Sequence, residues 1–245
     1  MKKFSTKRKI DLSYLRQNFY KKPKQIHVEI SKNLKKNFSI YNKKNITLVD
    51  HGCADGQFLN ILSNDHFYKN FQLIGTDVHK KLLTKAKKQI GNRLKTKVGT
   101  IYNSKLFKKK SLDVSSACGV LPLFKDLKIL KNCIDWSKPK GVVLISSIFN
   151  DNDYDVFVNY SESKSDLKKA KKLSGWNIFS KKTISMFLKK IKRVKKFEFI
   201  KFQLKANIKP NKKMPWKLWT LKTKNNKNIC VNGLSLILNQ EILII

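Results

Sequence analysis

The apolar positions of this chain alternate between two rhythms. Ile26, Ile30, Leu34 and Phe38 recur every four residues, the stripe of an amphipathic helix. Thr47-Leu48-Val49 then forms a short continuous apolar run, as a strand covered on both faces reads. Phe58, Leu59, Ile61 and Leu62 return to helical spacing. A second apolar run, Phe71 to Val78, ends beside an acid, Asp77. Leu82, Leu83, Ala86 and Ile90 mark the next helix, closed near Gly91-Asn92. The rhythm repeats with a weak third strand over Lys97–Tyr102 and a fourth from Ser111 to Cys118. A helix carrying Leu127, Leu130, Cys133, Ile134 and Trp136 precedes a fifth strand, Val142 to Phe149. Strands alternating with helices predict an α/β fold around a parallel sheet.

Beyond Phe149 the pattern changes. Asn150 to Gly175 is polar. Ser180 is placed to cap a helix bearing Ile184, Phe187, Leu188 and Ile191. Phe197 to Leu204 alternates as a strand. Leu218–Lys224 and Asn228–Val231 flank Asn225-Asn226-Lys227, which reads as a hairpin. Glu241 to Ile245 is the final strand. Ahead of the first helix, residues 1–24 are polar and basic, with Tyr14, Leu15, Phe19 and Tyr20 as anchors. The expected organisation is one domain over residues 1–245: a basic helical leader (1–44), a cofactor-binding half (45–148), and a substrate-side half (149–245) with a lid and the hairpin.

The chemistry concentrates where the first strand meets its helix, Val49-Asp50-His51-Gly52-Cys53-Ala54-Asp55-Gly56. Glycines there allow positive φ or the close approach of a ligand to the main chain. The following helix points its free N–H groups into the turn. Asp77 stands where an acid at the end of the second strand of a βαβ unit reaches a ribose diol. A carboxylate can accept from both hydroxyls. The glycines are four apart and form no G-x-G-x-x-G, which disfavours a nicotinamide dinucleotide.

These residues resemble the first two motifs of the class I methyltransferases that use S-adenosylmethionine. Ser111–Leu121 is similar to that family's fourth-strand motif, and Trp136–Ile145, with Lys138-Pro139-Lys140-Gly141, to its loop and fifth strand. The resemblance implies a Rossmann-like seven-stranded sheet, mostly parallel with an antiparallel last strand and helices on both faces. The C-terminal hairpin is extra. It implies S-adenosylmethionine as cofactor, held by Asp50, Gly52, Cys53, Ala54, Gly56, Asp77, Val78, Cys118 and Gly119. Thr100 or Ile101 stands near the family's adenine contact. The leader often covers the cofactor in this family; surface packing of its aromatics is the equal alternative. Three positions depart from the pattern: Ala54 and Lys140 replace glycines, and His51 replaces an apolar residue. After Gly119 comes Val120-Leu121-Pro122-Leu123-Phe124, with neither the Asn-Pro-Pro-Tyr type of motif nor the Pro-Cys of two base-methylating branches.

Composition refines the partner. The chain has 245 residues, 41% hydrophobic, enough for one sizeable core. Fifty-four basic residues face sixteen acids, a formal charge of +38. Such a charge points to an anionic partner. Yet only Arg8, Arg16, Arg93 and Arg193 are arginines, the better bidentate phosphate readers. Lysine with abundant Asn and Ile is also what an AT-rich genome encodes, so a solvated lysine surface is the favoured reading. Five of the sixteen acids, Asp151, Asp153, Asp155, Glu162 and Asp166, gather in the polar region, as a substrate lid, a base, or a plain solvated loop; the last is favoured. Cysteines 53, 118, 133 and 230 and the scattered histidines show no metal spacing. No apolar run reaches the roughly 18 residues of a membrane span, and the expected location is cytoplasmic. The sequence leads to a methyltransferase acting on a small molecule or carbohydrate. RNA methylation, and a non-catalytic basic RNA-binding or assembly role on the same fold, stay open. It assigns no catalytic base, metal or oligomeric state.

Overall fold

In the computed structural model the described residues are 12, 14–16, 20–38, 45–161, 172–175, 177–201, 219–222, 228–231 and 239–245. Phe19, Glu162, Asp166, Leu204 and Trp216 lie outside them. In chain order the elements are α1 (Gln25–Phe38), β1 (Ile46–His51), α2 (Gln57–Ser63), β2 (Phe71–Asp77), α3 (Lys80–Ile90), β3 (Leu94–Val98), β4 (Leu112–Cys118), α4 (Lys128–Trp136) and β5 (Ser137–Asn150). There follow β6 (Asn159–Ser161), β7 (Lys172–Ser174), β8 (Phe179–Ser180), α5 (Lys181–Lys189), β9 (Glu198–Lys201), β10 (Trp219–Lys222), β11 (Asn228–Val231) and β12 (Asn239–Ile244).

The main sheet runs β3-β2-β1-β4-β5-β12-β9, and the short β8 joins the end of β5. β1 pairs in parallel with β2 and β4, as do β2 with β3 and β4 with β5. β12 is antiparallel to both β5 and β9. The mostly parallel sheet with an antiparallel last strand, expected from the resemblance, is therefore present. β10 and β11 pair as the expected hairpin.

Each central strand feeds two cores, because successive side chains point to opposite faces. Leu48, Val114, Leu144 and Ile242 pack with α1, α2 and α3 through Leu34, Leu59 and Leu83. Val49, Ala117, Ile145 and Leu243 pack on the other face with α4 and α5 through Leu130 and Leu188. Leu48, Leu59, Leu130 and Leu188 are fully buried. Truncating any of them to alanine costs about 2–5 kcal/mol.

Two strands differ most from the sequence reading. The third strand is Leu94–Val98, and Thr100 to Asn103 is a turn closed by Asn103 N donating to Thr100 O. Four of its five residues are exposed, so burial left little apolar pattern to read. The fifth strand begins early, at Ser137, through a large bulge. Leu112 faces Ser137 and Val114 faces Val142, so Lys138-Pro139-Lys140-Gly141 is looped out. Gly141 is required there: a Cβ would lie 2.9 Å from the Lys138 carbonyl oxygen and 3.1 Å from that of Asp113.

Candidate active site

The turn after β1 alternates through left-handed backbone: Gly52 at φ 67°, Ala54 at 50° and Gly56 at 81°. Cys53 N donates to Thr76 O at 3.0 Å, and Gly56 N to Cys53 O at 2.8 Å. Asp77 fastens the turn to the end of β2. Its Oδ2 accepts from Ala54 N at 3.0 Å and its Oδ1 from His79 N at 2.8 Å. The two glycines serve different neighbours. A Cβ at Gly52 would lie 2.6 Å from Val120 Cγ2, in the loop after β4. One at Gly56 would lie 2.9 Å from the Ala86 Cβ of α3, so Gly56 lets two helices approach and lines no cavity.

Two adjoining cavities open around this turn at the carboxyl ends of the parallel strands, where α/β sheets bind ligands. The outer one, about 120 Å³, is bounded by Gly52, Ala54, Asp77, Val78, Thr100 and Gly119, among others. The inner one, about 50 Å³, is bounded by Asp50, Cys53, Asp55, Gln57, His27 and Lys24, among others. Gly52, Ala54, Cys118 and Tyr14 border both. Of the residues named from sequence, all but Gly56 thus converge on the cleft. Tyr14 belongs to the leader aromatics for which a cofactor cover and surface packing stood as equal alternatives, whereas Lys24, His27, Asp55 and Gln57 were not anticipated. Gln57 carried a signal, a polar residue opening a helix whose other residues are mostly apolar.

The leader crosses the cleft as a strap. Tyr20 Oη donates to Asp55 O at 2.6 Å. Lys85 Nζ donates both to Tyr14 O, at 2.6 Å, and to Asp55 Oδ2, at 2.9 Å. Lys24 Nζ lies 3.3 Å from Tyr14 Oη. With the strap in place both cavities are smaller than the roughly 300–1,000 Å³ of small-molecule pockets.

The inner cavity holds buried polar atoms without a hydrogen-bond partner in the structure: His27 Nδ1, Asp55 Oδ1 and both amide atoms of Gln57. Gln57 is 3% exposed and Asp55 fully buried. Such atoms cost about 1–3 kcal/mol each when unsatisfied. Burial, with Lys24 nearby, pushes the His27 imidazole down to about 4, so it is neutral at physiological pH and Lys24 is the cavity's cation. Burial lifts the Asp50 carboxyl to about 7, opposed by a hydrogen bond from Ser116 Oγ at 2.8 Å and assisted by Asp77. Burial, then the Asp50 carboxylate, pushes the Cys53 and Cys118 thiols well up, keeping them protonated.

His51 points to the other face. It is fully buried, with Nδ1 3.2 Å from Thr76 Oγ1 and Nε2 3.0 Å from Ser115 Oγ. It knits three neighbouring strands and takes no part in the cleft.

The acids of residues 151–155 do not face the cleft either. Asp155 accepts from Ser180 N at 2.6 Å and from Thr183 Oγ1 at 3.0 Å. Asp153 pairs with Lys182 and Asp151 with Lys181, whose ammonium also meets the buried Glu241 at 2.7 Å. They anchor the start of α5.

Residues 49–145 match a family model described as a methyltransferase domain. Residues 49–145 form a methyltransferase domain. The match runs from β1 into β5 and so contains the turn, Asp77 and the loop after β4. Among solved structures, the chain is similar to the YcgJ protein of Bacillus subtilis, with 14% identity over 88% of this chain and 97% of that one and a TM-score of 0.53. That likeness speaks for the fold. A Galdieria sulphuraria protein assigned as a sarcosine dimethylglycine methyltransferase matches at 14% identity over 51% of this chain, with a TM-score of 0.45. The chain spans about half of that protein, 48%. A Methanococcus maripaludis protein assigned as an S-adenosylmethionine-dependent methyltransferase matches at 18% identity, over 58% of this chain and 66% of that one, with a TM-score of 0.45. No curated protein sequence matches the chain. Among the described residues no helix is long and apolar enough to cross a membrane.

Proposed function

We propose that the cleft binds S-adenosylmethionine across the Gly52–Gly56 turn and that the chain transfers its methyl group to a small-molecule or carbohydrate acceptor. The observation that carries the donor reading is the inner cavity. Orphaned amide, imidazole and carboxylate atoms beside the Lys24 ammonium suit the amino and carboxylate groups of an amino-acid end. The outer cavity, with Asp77 at its wall and Thr100 and Ile101 beyond, suits the nucleoside end. Asp77 is already oriented by two backbone N–H groups. When bound, the donor supplies an activated methyl on a sulfonium. The chain's own work is then positioning and exclusion of water. Asp77 and the turn fix the nucleoside end, Lys24 and Gln57 the amino-acid end, and the strap of Tyr14 closes over both.

Charge supports the acceptor class. Residues 45–68 and 111–124, which supply much of the cleft's wall, contain no lysine or arginine in a chain with 54. Among the described lining residues of both cavities Lys24 is the sole cation, against Asp50, Asp55 and Asp77. A phosphate-rich strand would meet carboxylates there.

Titration calorimetry with S-adenosylmethionine tests the donor reading. Asp77→Ala is expected to lose about 10- to 150-fold in affinity, the worth of hydrogen bonds to a charged group. Gln57→Leu is expected to weaken binding about tenfold while leaving unfolding stability unchanged or raised, because it removes an orphaned amide. Normal affinity in both folded variants would sink the reading. Labelled donor incubated with cell extract, followed by product mass analysis, then identifies the acceptor.

A further inference from the structure

At the opposite end of the sheet lies a larger groove, about 660 Å³, between the bulge that opens β5, the start of β9 and the end of β12. It shares no lining residue with the cleft. Its basic groups are Lys110, Lys138, Lys140, Arg193, Lys195 and Lys196, and the acid on its wall is Glu198. Two of these cations are held in place: Lys138 Nζ lies 2.7 Å from Asp113 Oδ2, and the Arg193 guanidinium donates to the carbonyls of Asp135 and Ser137. Lys110, Lys140, Lys195 and Lys196 are exposed. The floor is apolar, with Val142, Ile244 and the ring of Phe197.

A second observation singles this groove out from the general lysine surface. Lys110 and Lys140 both have left-handed backbone, at φ 54° and 63°. Their conformations are imposed, one by Lys110 N donating to Asp135 O at 2.9 Å, the other by the tight packing of Gly141. Glycine would occupy either position without strain. Two of the four non-glycine residues with positive φ among the described residues are thus lysines on one groove. Strain retained in this way marks positions where the side chain is wanted.

We propose that this groove binds a nucleoside polyphosphate. Several phosphates use the cations of the rim, and a flat heterocycle uses the apolar floor and the face of Phe197. A bare phosphate would leave the floor unused. The volume lies within the range of small-molecule sites. This site does not depend on what the cleft binds.

The test is equilibrium binding of a fluorescent ATP analogue to the full chain at physiological salt, with ATP, inorganic tripolyphosphate and a single-stranded RNA as competitors. Lys110→Gly with Lys140→Gly should weaken ATP at least about tenfold and raise the unfolding midpoint, since strain leaves with the charge. Lys32→Ala with Lys36→Ala, on α1, removes the same charge and should change neither. Phe197→Leu should weaken ATP more than tripolyphosphate. The proposal is overturned if ATP does not bind saturably, if the α1 variant loses as much as the groove variant, or if only the RNA competes.

Discussion

Ala54 shows what the sequence carried at the scale of one residue. It replaces a family glycine, and its φ of 50° is the conformation that glycine would supply. Lys140 repeats this at 63°. Both departures were visible in sequence, whereas the strain they carry needed the backbone. An L-residue in the left-handed region costs roughly 1–2 kcal/mol, part of which glycine returns through its freer unfolded chain. Ala54→Gly should therefore stabilise the fold by about 0.5–1 kcal/mol. Urea unfolding checks it, and a loss of stability would mean Ala54 packs better than its backbone suggests. His51 was legible only as an oddity. Its hydroxyl partners, Thr76 and Ser115, come from two other strands, and nothing local announces them.

Among elements, α5 was read correctly from its cap: Ser180 Oγ accepts from Thr183 N at 3.0 Å. Its anchor was not legible. The acids of residues 151–155 looked like a lid, a base or a solvated loop, because their partners stand 25 to 30 residues later. Asp155 and Asp153 should then differ. Asp155→Ala leaves the Ser180 N–H and the Thr183 hydroxyl without their acceptor and should cost about 1–3 kcal/mol. Asp153 pairs with Lys182 at the surface, both more than half exposed, and Asp153→Ala should cost under about 1 kcal/mol. Denaturant midpoints of the two variants decide it; equal costs would remove Asp155 from this role. The strands were legible where both faces are buried, as in β1 and β4. They blurred where burial failed, as in β3.

The whole molecule answers to pH through its buried groups. His51, held down to about 3, and His27, at about 4, are neutral when folded but take up protons near 6.5 when unfolded. Their stability contribution is present above pH 6.5 and is lost as pH falls. Asp50, raised to about 7, acts in the opposite sense: it stabilises below its ordinary 3.8 and loses that contribution as pH rises to 7. Each group contributes about 1.4 kcal/mol per pH unit. Two slopes against one leave stability rising by about 1.4 kcal/mol per unit from pH 4 to 6.5 on account of these three. His51→Leu should flatten that rise, and unfolding titrations at pH 4.5 and 6.5 would read it; an unchanged difference would mean the imidazole is not held neutral. The parallel sheet was legible as a whole because strand and helix rhythms alternate, the leader's cover over the cleft only as one of two alternatives, since Tyr20 and Asp55 are joined only in space, and the strand order only in the fold. The order also bears on the protein's birth. β9 is made before β12 but, among the described residues, pairs with the sheet only through it. A ribosome that has finished β9 therefore holds a chain whose β5 still awaits, along one side, its strand partner of residues 239–245. A nascent chain stalled in that interval is the form of this protein most exposed to mispairing and most in need of a chaperone.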